Sequence, residues 1–168
     1  ERYMAGWMKE NSEKYKDDMD VIEDMMPDVY LEFLQKPADF LDGVAPQNYF
    51  EQFDDADMLV GWLCDYIAQG VPVPDLLLER ITSLGESAEK SLLALLDRTD
   101  LPEETEMTVV SLLREMESQA PMQRYIDFIA SLEEPSDKGD LCAEALLSMG
   151  EAVVAPVLAA LSGAGQAG

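Results

Sequence analysis

One phrase occurs twice in this chain. The stretch 83-SLGESAEKSLLALL-96 returns near the end as 148-SMGEAVVAPVLAAL-161. Each copy runs from a small residue and an apolar one through Gly-Glu to a Leu- or Ala-rich stripe. Repetition at a fixed period constrains a fold more than any single motif, because the unit that repeats must stack on its own copies. The Leu92, Leu93, Leu95, Leu96 stripe has counterparts about 33 residues earlier (Leu59, Val60, Trp62, Leu63) and about 33 later (Tyr125, Ile126, Phe128, Ile129). A further step of about 32 reaches Val157, Leu158, Ala160 and Leu161.

A second stripe precedes each of the last three. Leu77, Leu78, Ile81 and Leu84 come before Gly85; Val109, Val110, Leu113 and Met116 before Glu117; Cys142, Ala143, Leu146 and Met149 before Gly150. The spacing i, i+1, i+4, i+7 is one face of an α-helix. The unit is therefore helix, tight turn, helix. Gly85 and Gly150 stand where a left-handed residue ends a helix cheaply. Glu117 stands at the equivalent place, and the expectation is a different turn geometry there. Asp54 or Asp55 is expected to cap a helix over 57–69. The connections 70-GVPVPD-75, 97-DRTDLPEETE-106 and 133-EEPSDKGD-140 all contain proline, which blocks helix continuation.

One such pair has about six to eight large apolar side chains, worth about 1.5–3 kcal/mol each when buried. Ordering its backbone costs about 1–2 kcal/mol per residue, so a lone pair does not fold and several stacked pairs do.

The runs 76-LLLERITSLGESAEKSLLALL-96 and 141-LCAEALLSMGEAVVAPVLAAL-161 resemble HEAT-like repeats of the short type found in bilin-lyase-like proteins. Ala143, Ala145, Leu146, Gly150, Ala155, Pro156, Leu158 and Leu161 match that pattern, and the resemblance spans about residues 74–161. The middle unit departs from it at Glu117, Tyr125 and Phe128. The resemblance implies an all-α, right-handed α–α superhelix of about three to four helical pairs. It also implies a scaffold far more often than an enzyme.

Residues 1–43 do not follow the repeat. They read as helices over 14–26, stopping before Pro27, and 28–36, stopping before Pro37, followed by a turn at 38-ADFLDG-43. Trp7, Met19, Met25, Met26, Tyr30, Phe33 and Leu34 make them apolar enough to cover an open end of the stack. The expected organisation is one domain: an N-terminal helical cap (1–43), stacked repeats (44–161) and a flexible tail (162–168). Tyr49, Phe50 and Phe53 form a weaker helical match ahead of 57–69.

Charge narrows the partners. The 168 residues hold 35 acidic and 11 basic side chains, a formal net charge of −24, and no histidine. Nucleic acid is disfavoured, since a phosphate backbone needs clustered Lys and Arg, and anionic membranes for the same reason. A basic protein or peptide, or a cation, remains. The absence of histidine removes the usual general base, zinc ligand and catalytic triad. Cys64 and Cys142 have no C-x-x-C partner and read as buried thiols of a reducing compartment. With no visible signal-peptide pattern, a cytoplasmic location is expected. No cofactor is expected, because no phosphate-binding glycine loop or nucleophile elbow occurs.

The partner-binding candidates are the carboxylates between repeats: Asp100, Glu103, Glu104 and Glu106 in one connection, Glu133, Glu134 and Asp137 in the next. Equivalent loops of stacked units fall on one edge, so these should form an acidic ridge that steers a basic partner; the plainer reading is a solvated edge. Trp62 is a candidate contact if it lies open on a concave face, and a core residue otherwise. Asp54, Asp55 and Asp57 look like part of a calcium loop without its glycine and its position-twelve glutamate, so capping is the better reading. The run Asp17, Asp18, Asp20, Glu23, Asp24 reads as a solvated helix face. The ten methionines read as core filler or a peptide groove. The expected function is a non-catalytic solenoid that binds a protein or peptide. The alternatives are a HEAT-like lyase-type enzyme and an acidic cation or basic-protein binder.

Overall fold

The computed structural model describes residues 2–11 and 19–164, and within them the chain is all-helical. The one piece of β geometry among the described residues is an isolated bridge between Ala38 and Val44. The chain divides into two compact units, Glu1–Phe53 and Asp54–Gly168.

In the first unit, α1 spans Arg2–Asn11 and α2 spans Met19–Gln35. The expected stop at Pro27 does not occur, and α2 runs through it. Proline removes one N–H and crowds the preceding turn. Here the ring lies on the exposed side, while Ile22 and Val29, seven residues apart on one face, are both buried. That shared stripe holds both halves against the same core and outweighs the break. Phe33 stacks obliquely on Tyr3 of α1, ring centroids 4.8 Å apart. The expected turn at 38–43 is a 3-10 turn over Asp39–Leu41, with Asp42 and Gly43 at positive φ. Tyr49, Phe50 and Phe53 do not form a repeat helix. They lie in and beside short 3-10 turns, with edge-to-face ring contacts of 5.2 and 5.5 Å. Asp17 and Asp18 lie outside the described residues; Asp20, Glu23 and Asp24 are exposed on α2.

The second unit contains α3 (Ala56–Ala68), α4 (Asp75–Ser83), α5 (Glu86–Leu96), α6 (Glu103–Glu115), α7 (Met122–Ser131), α8 (Asp137–Ser148) and α9 (Val154–Ala164). From α3 to α8 the expected helical faces hold the buried residues. Leu59 and Leu63, Leu77 and Ile81, Leu92 and Leu96, Val109 and Leu113, Tyr125 and Ile126, Cys142 and Leu146 all lie in the core. Asp55 caps α3, its carboxylate accepting from the Met58 N–H at 3.0 Å. Two prolines of the connections sit at helix starts, Pro74 before α4 and Pro102 before α6, where a fixed φ is preorganised and no N–H is needed. Residues 162–164, expected to begin a flexible tail, continue α9; residues 165–168 lie outside the described residues.

The turn at Glu117 is closed differently from those at Gly85 and Gly150, as expected. All three positions have positive φ, 55° at Glu117, 57° at Gly85 and 65° at Gly150, but Gly85 combines it with ψ −127°, outside the left-handed helical region. The Ser118 N–H donates to the Leu113 carbonyl at 2.9 Å and the Glu117 N–H to the Arg114 carbonyl at 3.0 Å. This is the paired C-terminal bonding that closes a helix end. The buried Ser118 hydroxyl also donates to the Glu89 carboxylate on α5. These bonds hold a glutamate where glycine is the easier residue.

α3 packs against α4 and α5, α6 against both α4 and α8, α8 against α7, and α7 against α9. Side-chain bonds between helices or their flanking turns in this unit span a narrow range of sequence. Arg80–Asp54 is 26 residues apart, Arg124–Asp97 27, Ser118–Glu89 29, Arg114–Glu144 30, Lys138–Glu106 32 and Ser91–Asp57 34. Glu106, one turn into α6, meets Lys138 in the first turn of α8; Arg114, in the last turn of α6, meets Glu144 further along α8. The two helices therefore run side by side in the same direction. Burial fades toward α9, where Leu158 and Leu161 are 58% and 66% exposed although their stripe matches the others. α9 packs on α7 and on its own preceding turn, which leaves one flank of the helix without cover among the described residues.

Candidate functional site

The expected ridge is only partly assembled. Glu103, Glu104 and Asp137 are exposed in the first turns of α6 and α8, where carboxylates also complement the helix dipole. Glu133 and Glu134 are exposed in the α7–α8 connection. Asp100 forms a two-pronged pair with Arg98, at 3.1 and 3.0 Å, and this guanidinium holds its carboxyl below the ordinary range. Glu106 does not join the ridge. It turns inward and pairs with Lys138, both side chains less than one-fifth exposed. Trp62 is half-buried on α3.

A denser gathering of carboxylates lies at the start of α3, the α4–α5 turn and the α6–α7 turn. Two open clefts share Glu86. One, of about 740 Å³, is lined by Asp54, Asp55, Asp57 and Glu86 against a single cation, Lys90. The other, of about 480 Å³, is lined by Glu86, Glu89, Glu115 and Glu117 with no cation. Several have local partners: Asp54 pairs with Arg80, Ser91 donates to Asp57 at 2.5 Å, and Lys90 pairs with Glu86 at 2.6 Å, lowering that carboxyl's pKa. No three Cys, Asp or Glu side chains among the described residues converge closely enough to hold a metal ion. Sequence reasoning missed this edge. Its signal was the Gly-Glu step at 85–86, and Glu117 in the matching place.

A third cavity, of about 340 Å³, lies between the end of α5 and helices α6, α7 and α8. Leu96, Val110 and Phe128 supply apolar wall. Arg124 reaches across to bond the Leu96 carbonyl and, at 2.9 Å, Asp97. Lys138 sits over the Phe128 ring, 4.3 Å from its centroid, while pairing with Glu106. The Tyr125 hydroxyl is buried and has no hydrogen-bond partner among the described residues; burial pushes its pKa well above the phenolic range. Cys142 is buried on the same wall, and Cys64 is half-buried on α3. Both thiols are free, and burial raises both pKa values, which makes them poor nucleophiles at neutral pH.

No single helix among the described residues is long and apolar enough to cross a membrane. Compared with protein-family models, curated proteins and solved structures, the chain matches none of them.

Proposed function

We propose that Asp54–Gly168 is a HEAT-like α-solenoid that acts without catalysis, as a docking module for a basic protein or peptide. The observation that carries the reading is the pair of open acidic clefts meeting at Glu86, lined by carboxylates from the start of α3, the α4–α5 turn and the α6–α7 turn. An extended basic segment laid along them would meet alternating carboxylates at a spacing set by the helical pairs. The narrow 26–34-residue span of the inter-helix bonds supports the repeat reading, because units stacked in order meet their neighbours at one period. The carboxylates at the starts of α6 and α8 act as a second, outer field that steers approach.

Isothermal titration with an octalysine peptide tests this. Binding is expected at low salt and should weaken by at least about tenfold near physiological ionic strength, where the screening length is about 8 Å. A variant carrying E86Q, E89Q, E115Q and E117Q should lose most of the affinity. A control carrying D20N, E23Q, D24N and D28N on α2 removes as much charge elsewhere. Equal losses in the two variants would reduce the interaction to bulk charge and remove the docking reading.

A further inference from the structure

The repeated stripe is sheltered in every copy except the last. Val60, Leu93 and Ile126 stand where Leu158 stands, and Leu63, Leu96 and Ile129 where Leu161 stands. Those six are buried or half-buried, whereas Leu158, Leu161 and Val154 are each more than half exposed. α5 lies against α3 and α9 against α7, while the outer side of α9 lies open among the described residues. That side carries two neighbouring rows. Val154, Leu158 and Leu161, spaced i, i+4, i+7, form a large one; Ala155, Ala159 and Ser162, at the same spacing, form a small one. Charge sets the same face apart. In a chain of net −24, no side chain from Ala152 to Gly168 is charged, and this is the longest uncharged run in the sequence. Large apolar side chains left contiguous in solvent mark an interaction surface.

We propose that this face of α9 meets the same face of a second copy of the chain across a two-fold axis. A closed pair of identical subunits needs a surface complementary to itself. α9 offers one. With the axis running along the two helices, the Val154, Leu158, Leu161 row of each copy lies opposite the Ala155, Ala159, Ser162 row of the other. Electrostatics selects the occupant. Two chains of net −24 repel wherever carboxylates face each other, so an uncharged face is where they come together at least cost. A basic partner finds no carboxylate on this helix. The pairing gives Leu158 and Leu161 the cover that their counterparts receive inside the chain. No residue of the acidic clefts lies on α9, so the pairing and the docking reading can fail separately.

Analytical ultracentrifugation of the full chain tests this. A monomer–dimer equilibrium is expected, half-associated at about 0.1–1 mM, the weak range of a small interface. Raising the ionic strength from about 0.01 M to about 0.15 M should tighten it by at least about threefold, because salt screens the repulsion and leaves the apolar contact. The variant L158E with L161E brings carboxylates to both sides of the contact and should leave the chain monomeric. Both side chains are exposed, so its helical circular dichroism should be retained; A159E, on the small row, serves as the second variant if the first fails to fold. The control L31E with F40E adds the same charge at exposed apolar positions of the first unit and should leave the dimer intact. In a mixture of isotope-labelled and unlabelled chains, Leu158 methyls of one copy should show cross-relaxation to Ala155 or Ala159 of the other. A monomer at about 1 mM and 0.15 M salt, masses beyond two chains, a dimer that survives L158E with L161E, or an equal loss in the control would each overturn the proposal. So would a monomer that sediments with phosphatidylcholine vesicles, which would assign the face to a membrane.

Discussion

Glu117 shows how one residue can defy its own preference. A non-glycine residue at positive φ costs about 1–2 kcal/mol, and glycine gives back part of that gain through its freer unfolded state. The turn keeps its shape through the two backbone bonds to α6 and the Ser118–Glu89 bond, none of which needs the Glu117 side chain. Glu117→Gly should therefore raise stability by about 0.5–1 kcal/mol. Gly85→Ala should lower it by about 1–3 kcal/mol, although a Cβ there meets nothing within 4 Å, because φ 57° with ψ −127° is backbone that glycine alone enters readily. Urea unfolding of both variants measures this; a destabilised Glu117→Gly would mean that the side chain holds the turn. The helix end at 116–117 and a turn unlike the glycine turns were legible from the sequence. The Ser118–Glu89 bond was not, since its acceptor comes from α5.

At the scale of elements, the Glu106–Lys138 pair sets the register of α6 against α8. Both side chains are mostly buried, and the ammonium also lies over Phe128. A pair this sheltered repays its desolvation only while both members are present. Lys138→Ala should cost about 2–3 kcal/mol by stranding Glu106. The double variant Glu106→Leu, Lys138→Met should recover most of that loss, because apolar groups of similar size replace the pair. Thermal unfolding of the two variants separates a paired charge from simple packing: no recovery in the double variant would mean that the pair is not the cause. The helices from α3 to α9 were readable from spacing and proline. The first unit was less so: α1 was not anticipated, Tyr49, Phe50 and Phe53 lie in and beside 3-10 turns, and in α2 burial of Ile22 and Val29 on one stripe overrode Pro27. The inward turn of Glu106 had no sequence signal, since its neighbours Glu103 and Glu104 are the same residue type and stay in solvent.

For the whole molecule, the dominant electrostatic fact is self-repulsion. A net charge of −24 is opposed by ion pairs that are mostly exposed and individually worth little. Salt screens both, but repulsion is summed over many distant charges and is screened first. Raising the ionic strength from about 0.01 M to about 0.1 M shortens the screening length from about 30 Å to about 10 Å. The melting temperature should rise, by about 2–4 °C for each kcal/mol of repulsion relieved. Scanning calorimetry across that range checks it; a fall would mean that the ion pairs outweigh the repulsion.

From α3 to α8, helix positions and buried faces followed from the amino-acid sequence alone, as Leu77 with Ile81, Val109 with Leu113 and Cys142 with Leu146 show. Helical periodicity is local: residues four apart share a face wherever the helix goes. The tertiary structure alone decided which carboxylates meet at Glu86, that Glu106 closes on Lys138, that Tyr125 has no partner, and that the stripe of α9 stays half in solvent. Those outcomes depend on contacts some 26–34 residues apart, and their register is set by how whole helices pack, which no local pattern records.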